Sequence, residues 1–346
     1  MALNVAQLKL YGAATVVVLA IVGVRYVVAG GQLPFRDKQT APVSLLSAED
    51  RGMQAKLAPL VACLNRALTH FEGSAPAFRD TVQALSVPAR PGLRPQPTYQ
   101  GNLFKVTLWD KDGGESLACA DGLERSAAMP PTVADLDATA KAIAVPLRAM
   151  VGPGAQWDTY IDQKTYQDDR FAAGRQLAAT LSPLLTDVVA QTGLLRERVS
   201  VETAAIRLRQ LAAIERTEGQ SQRWHVEHLM IAARSLVSQV SQLFDGPATA
   251  AGVQAAIDPL QEAFDIGSKY AVAHPADTPA LTAWRAVAPH ASDELREAKE
   301  LRRTLAAPPR ETPAEAQKRL LTLMRNVGEQ FDSLVEAYNR TRHDNT

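Results

Sequence analysis

Two short stretches concentrate the residues able to do chemistry. The first, residues 157–174, reads WDTYIDQKTYQDDRFAAG and holds Asp158, Asp162, Asp168 and Asp169 with Tyr160, Tyr166 and Arg170. Carboxylates and phenols at this density suit a polar pocket or a cation site. They equally suit a capped junction between two helices, in which Asp168 or Asp169 accepts hydrogen bonds from the free amides of a first turn. Tyr160, Asp162, Tyr166, Asp168 and Asp169 are therefore candidates for a ligand site or a structural signature.

The second stretch is Trp224-His225-Val226-Glu227-His228. Helical zinc hydrolases place two histidines four residues apart so that both reach one metal, with a glutamate as base. Here the histidines are three apart with Glu227 between them, and no third ligand is evident. No metal and no cofactor is expected. The simpler expectation places His228 at the edge of a helical seam, with His225 and Glu227 facing water.

Cys63 and Cys119 are the two cysteines of the chain. If the body lies outside the cytoplasm they suit a disulfide that closes a long loop and adds roughly 2–4 kcal/mol; otherwise they are two buried thiols. No glycine-rich phosphate loop precedes a helix, since Gly113-Gly114 and Gly152-Pro153-Gly154 read as turns, and no G-x-S-x-G elbow occurs. The mixed charges of residues 294–303 read as a solvated helix face. No catalytic set is recognisable, so binding rather than catalysis is expected.

The elements that position these residues follow from hydrophobic spacing. Leu57, Leu60, Leu64, Ala67 and Phe71 step by three and four, as do Leu136, Ala140, Ile143, Leu147 and Met150. Leu177, Leu181, Leu184, Val188, Thr192, Leu195 and Val199 form another seam, continuing raggedly to Ile214. Further seams run through Trp224 to Val240, Val253 to Phe264, Leu281 to Leu305, and Leu320 to Tyr338. Such steps align side chains along one stripe of an α-helix. Single stripes are buried by helix-on-helix packing, which predicts an all-α fold, an elongated antiparallel helical bundle. Thr312-Pro313 with Glu315 predicts a capped helix start. Pro183 and Pro259 lie inside seams, each marking a kink or a fresh start. Residues 87–114, with four prolines in their first half, read as an irregular loop leading to an extended segment, LFKVTLW.

The chain has 346 residues, 46% of them apolar, and 37 basic groups cancel 37 acidic ones. It is too apolar to be largely disordered, and the balanced charge argues against a nucleic-acid partner. Residues 10–31 form the one long apolar stretch, interrupted by Arg25. About 20 apolar residues cross a bilayer as a helix, and Arg25 sits near enough to one end to snorkel. The expected organisation is an N-terminal membrane anchor or signal segment (1–38), a linker (39–47) and a helical-bundle domain (48–346). An uncleaved membrane anchor through residues 10–31 is favoured over a signal cut near Gly30, and the nearly balanced flanking charges do not set its orientation.

The YIDQKTYQDDRFAAG stretch resembles the hallmark of the YiiG-like family of bacterial envelope proteins. The likeness rests on Tyr160, Asp162, Tyr166, Asp168, Asp169 and Gly174, and on Cys63 followed by Asn65 with Cys119 further on. It spans roughly residues 48–342. The resemblance implies an all-helical domain of unknown function in the envelope, anchored in the inner membrane through residues 10–31 with its body in the periplasm, and it favours the disulfide. Members are commonly lipoproteins; this chain has no acylation cysteine after its apolar segment, which favours the helix as the tether. The expected role is protein–protein interaction with an unidentified partner, one version being immunity against an envelope-targeted toxin. The alternative is a small-ligand or metal-binding protein, or a hydrolase, using the Tyr160–Asp169 cluster or, more remotely, His225, Glu227 and His228.

Overall fold

The computed structural model describes residues 46–85, 114–242, 249–275, 278–307 and 312–343. They form helices and their connections, with no strand among them. In chain order these are α1 (Ala48–Cys63), a π-helical turn (Leu64–Leu68), α2 (Thr69–Leu85), α3 (Gly114–Ala128), α4 (Ala134–Asp162), a 3-10 turn (Thr165–Gln167), α5 (Ala172–Glu218), α6 (Gln222–Gln242), α7 (Ala250–Ala273), α8 (Thr278–Ala306) and α9 (Pro313–His343). The all-α class read from the seams is the class observed. The apolar segment 10–31 and the extended segment expected within 87–114 lie outside the described residues. Among the described residues no helix is long and apolar enough to cross a membrane. The sequence reads 48–346 as one body, whereas the packing resolves two compact units that divide within α5, between Thr203 and Ala204.

In the first unit α3 packs against α1 and α4. Leu57, Leu60, Leu64 and Phe71 are buried, as are Leu136, Ile143, Leu147 and Met150. The π-helical turn follows Cys63 directly, and the Thr69 hydroxyl donates to the Leu64 carbonyl at 2.6 Å across its widened backbone. Lys56 is fully buried; its ammonium lies 2.6 Å from Asp137 Oδ1 and donates to the Met129 carbonyl at 2.8 Å. Asp137 Oδ2 in turn accepts from the Val133 amide at 3.1 Å, and Ser126 Oγ donates to the Lys56 carbonyl at 2.8 Å. The ion pair pins α1 to the first turn of α4, and the bond to Met129 pins it to the connection before that turn. Arg196 of α5 grips Glu72 of α2 through two parallel bonds of 2.9 and 2.6 Å, the fork geometry in which arginine binds carboxylate best.

In the second unit α6 packs against α7, α8 and α9, with α7 on α8 and α8 on α9. Helices joined by short links and packed side by side run antiparallel. The Thr312 start is capped as read: Glu315 N donates to Thr312 Oγ1, while the Thr312 amide and hydroxyl both reach Glu315 Oε2. Trp284 of α8 presses against α7 at Gly267, where an added Cβ would stand 2.1 Å from the ring; only glycine admits that approach.

One expectation is narrowed and two are corrected. Of the kink or fresh start read at Pro183 and Pro259, the fresh start falls, because α5 and α7 run through both prolines. Gly152-Pro153-Gly154 lies inside α4 rather than in a turn; Met150 and Trp157 on either side are buried, and their packing overrides the local preference. Glu294, placed on a solvated face, is fully buried. It falls on the inner row Val287, Ala291, Glu294, Ala298 and Leu301, where position on the helix decides burial over residue type.

Candidate functional site: the Tyr160–Asp169 corner

The corner lies where α4 ends and α5 begins. The α4 seam continues past Met150 to bury Trp157, Tyr160 and Ile161. Phe78 of α2 meets Trp157 edge-on, with ring centroids 4.9 Å apart. After α4 the chain reverses through three left-handed residues, Lys164, Arg170 and Phe171, at φ of 55°, 52° and 64°. Side chains cost energy in that region, and such residues persist only where their surroundings hold them.

Asp169 does the holding. Its Oδ1 accepts from the Phe171 amide and from the Tyr160 hydroxyl, and its Oδ2 accepts from the Ala173 amide, each at 2.9 Å. Two of these donors are free amides at the start of α5, so the carboxylate caps that helix while tying it to the end of α4. Partial burial pushes Asp169 up, but the bonds from Ala173, Tyr160 and Phe171 outweigh it and hold the carboxyl below its ordinary value. Burial, then the bond to Asp169, pushes the Tyr160 phenol well up, so it stays a donor. Tyr166 stacks on Phe171 at 5.2 Å, with 7° between the rings, and its ring lies 6.4 Å from that of Tyr160.

Gly174 explains its own place in the stretch. A Cβ there would lie 2.7 Å from Tyr160 Cε1 and 3.0 Å from its hydroxyl. The Tyr160 ring therefore rests on the bare backbone of α5, and this contact sets the aim of its hydroxyl at Asp169.

Of the candidate residues, the structure brings Tyr160, Tyr166 and Asp169 together. Asp162 and Asp168 are exposed and do not join them. Cys63 and Cys119 are joined as a disulfide between α1 and α3, Cα atoms 4.8 Å apart.

The second candidate set diverges. His225 was expected to face water, yet it is 3% exposed, with its ring 4.6 Å from that of Tyr270. Its helix is packed on several sides, which leaves no watery face at that turn. His228 lies 4.7 Å from the Trp224 ring, while Glu227 turns away to accept the Tyr338 hydroxyl at 2.5 Å. Among the described residues no group of three or more His, Cys, Asp or Glu is arranged to hold a metal ion. Sequence reasoning passed over Lys56 and placed Glu294 in water. The signal was available in both cases, because each sits in step with apolar neighbours three and four residues away.

No curated protein and no solved structure matches the chain. A family model does match, described as "Protein of unknown function (DUF3829)", over residues 53–340. That span runs from α1 through the disulfide, the corner and both units to the end of α9, so the chain belongs to the DUF3829 family.

Proposed function

We propose that this is a membrane-tethered helical protein of the bacterial envelope, akin to the YiiG-like proteins, which acts by binding a protein partner. The observation that carries the binding reading is a row of large apolar side chains on the outside of α5. Leu194, Val201 and Leu208 recur every seven residues and are 42%, 61% and 54% exposed. Side chains seven apart lie on one face of a helix, and exposed apolar rows of this kind mark docking surfaces for a partner helix. Val145 and Val272, exposed singly elsewhere, are ordinary surface residues.

The disulfide supports an oxidising compartment, in keeping with a periplasmic body and a tether through residues 10–31. The alternative, a ligand-binding protein or hydrolase built on the Tyr160–Asp169 cluster, finds both oxygens of Asp169 already occupied by donors of the chain itself. One concrete form of the binding role is immunity against a toxin delivered to the envelope.

A photoreactive side chain placed at Val201 in producing cells tests this reading. One defined protein should crosslink, and Leu194→Glu with Leu208→Glu should abolish the adduct while leaving the helical signal unchanged. An absent adduct, or one indifferent to the two charges, would refute the proposed surface.

A further inference from the structure

The first turns of α6 carry an unusual set of buried polar atoms. Gln222, Trp224 and His225 are 4%, 7% and 3% exposed. Both amide atoms of Gln222, the indole N–H of Trp224, and Nδ1 of His225 and of His228 are buried without hydrogen-bond partners among the described residues. Trp224 anchors this turn to the end of α5, in an apolar cluster with Leu211 and Ile214 against which Ile231 packs. On the other side the His225 ring meets Tyr270 of α7, and Tyr270 stacks on His274 with centroids 4.1 Å apart. The joint between three helices is thus made of rings, and the imidazole of His225 at its centre is out of reach of water.

We propose that this His225–His228 turn is an acid-released latch, which holds the start of α6 against the ends of α5 and α7 while its imidazoles are neutral and lets go when the surroundings acidify. A buried imidazolium needs a counter-charge or water. Burial, then the neighbouring His228, holds His225 below its ordinary 6.5, and His274 adds to the effect; only the Gln220 backbone works the other way. For His228 burial again dominates, partly opposed by Glu262 of α7 and Glu215 of α5. Glu227, between the two histidines, is engaged by Tyr338 of α9. His225 therefore lacks a compensating carboxylate and is the harder of the two to protonate in place.

The sign follows from linkage. Above pH 6.5 both imidazoles are neutral whether the turn is closed or open, and nothing is lost. Below 6.5 the open form binds protons that the closed form refuses, so closure weakens by about tenfold per pH unit for one such group, until its closed-state value is reached. Release would bare Trp224, Leu211 and Ile214, an apolar surface hidden at neutral pH.

Hydrogen exchange on the full chain at about pH 7.5 and about pH 5.5, corrected for the intrinsic rate, tests this. Opening over residues 222–231 should rise about tenfold in the wild type and by less than about twofold in His225→Gln. No rise in the wild type, or an equal rise in the variant, overturns the latch. If His225→Gln does not fold, the wild-type imidazole resonances decide. His225 should protonate only as these amides lose protection; protonation with protection intact overturns the proposal.

Discussion

Glu294 offers the sharpest energetic test of the second unit. It is fully buried on the inner row of α8, and neither carboxyl oxygen has a hydrogen-bond partner among the described residues. Burial alone drives its pKa well above 4.5, with no cation among the described residues to offset the cost. A buried polar group without a partner costs about 1–3 kcal/mol against an apolar group of the same shape. Methionine has nearly the shape of glutamate and no such requirement, so Glu294→Met should stabilise the unit by about 1–3 kcal/mol. At roughly 3 °C per kcal/mol for a body of this size, its melting temperature should rise by about 3–9 °C.

The gain should depend on pH in a defined direction. Below pH 4.5 the acid is protonated in both folded and unfolded chains, and wild-type stability is at its fullest. As pH rises above 4.5 the unfolded chain ionises while the folded one holds its proton, so wild-type stability falls. The advantage of Glu294→Met should therefore grow between pH 4.5 and about 7.5, and Glu294→Gln should lose the slope while keeping the burial cost. Thermal unfolding followed by circular dichroism across that range measures both effects. A destabilised Glu294→Met, or an advantage that does not change with pH, would refute the placement of this acid in the core.

Four further predictions concern the first unit. Gly174→Ala should cost about 1–3 kcal/mol by overpacking against the Tyr160 ring, and Tyr160→Phe about 1 kcal/mol through its lost bond to Asp169; chemical denaturation reads both. Lys56→Met should cost about 3–5 kcal/mol, since it strands the Asp137 carboxylate against buried surroundings; an unchanged denaturation midpoint would mean that the pair is solvated. Cys63→Ser with Cys119→Ser should destabilise by up to about 4 kcal/mol, the loop-closure entropy of cysteines 56 residues apart, and the same loss should follow treatment of the wild type with a reductant.

The helices were legible where one face alone is buried. The row from Met324 through Val327 and Phe331 to Leu334 on α9 is buried as its spacing indicates, and the Thr312–Glu315 cap was visible because capping is a local affair of four residues. The α5 seam was read through Leu177 and Leu184, while the buried neighbours are Ala178 and Leu185. Leucines adjacent on a helix leave that choice to the partner helices. On α6, buried from several directions, the stripe that would have placed His225 disappears. Glu294 was misjudged because a charged type was weighed above a core position, and Lys56 was passed over for the same reason. In the corner, the residue types suited a cation site and a helix cap alike. What separates them is the aim of the Asp169 oxygens, fixed by Tyr160 lying on Gly174, and one sequence does not encode that contact in any local pattern.

The joint formed by Tyr160 and Asp169 is tested most directly by comparing the unfolding of Asp169→Ala, Asp162→Ala and Asp168→Ala in the full chain. Asp169→Ala should lose about 1–3 kcal/mol, as a helix cap and a buried phenol lose their acceptor together, while the two exposed aspartates should change stability by less than about 0.5 kcal/mol. Equal, negligible effects at all three positions would contradict the structural role of the corner.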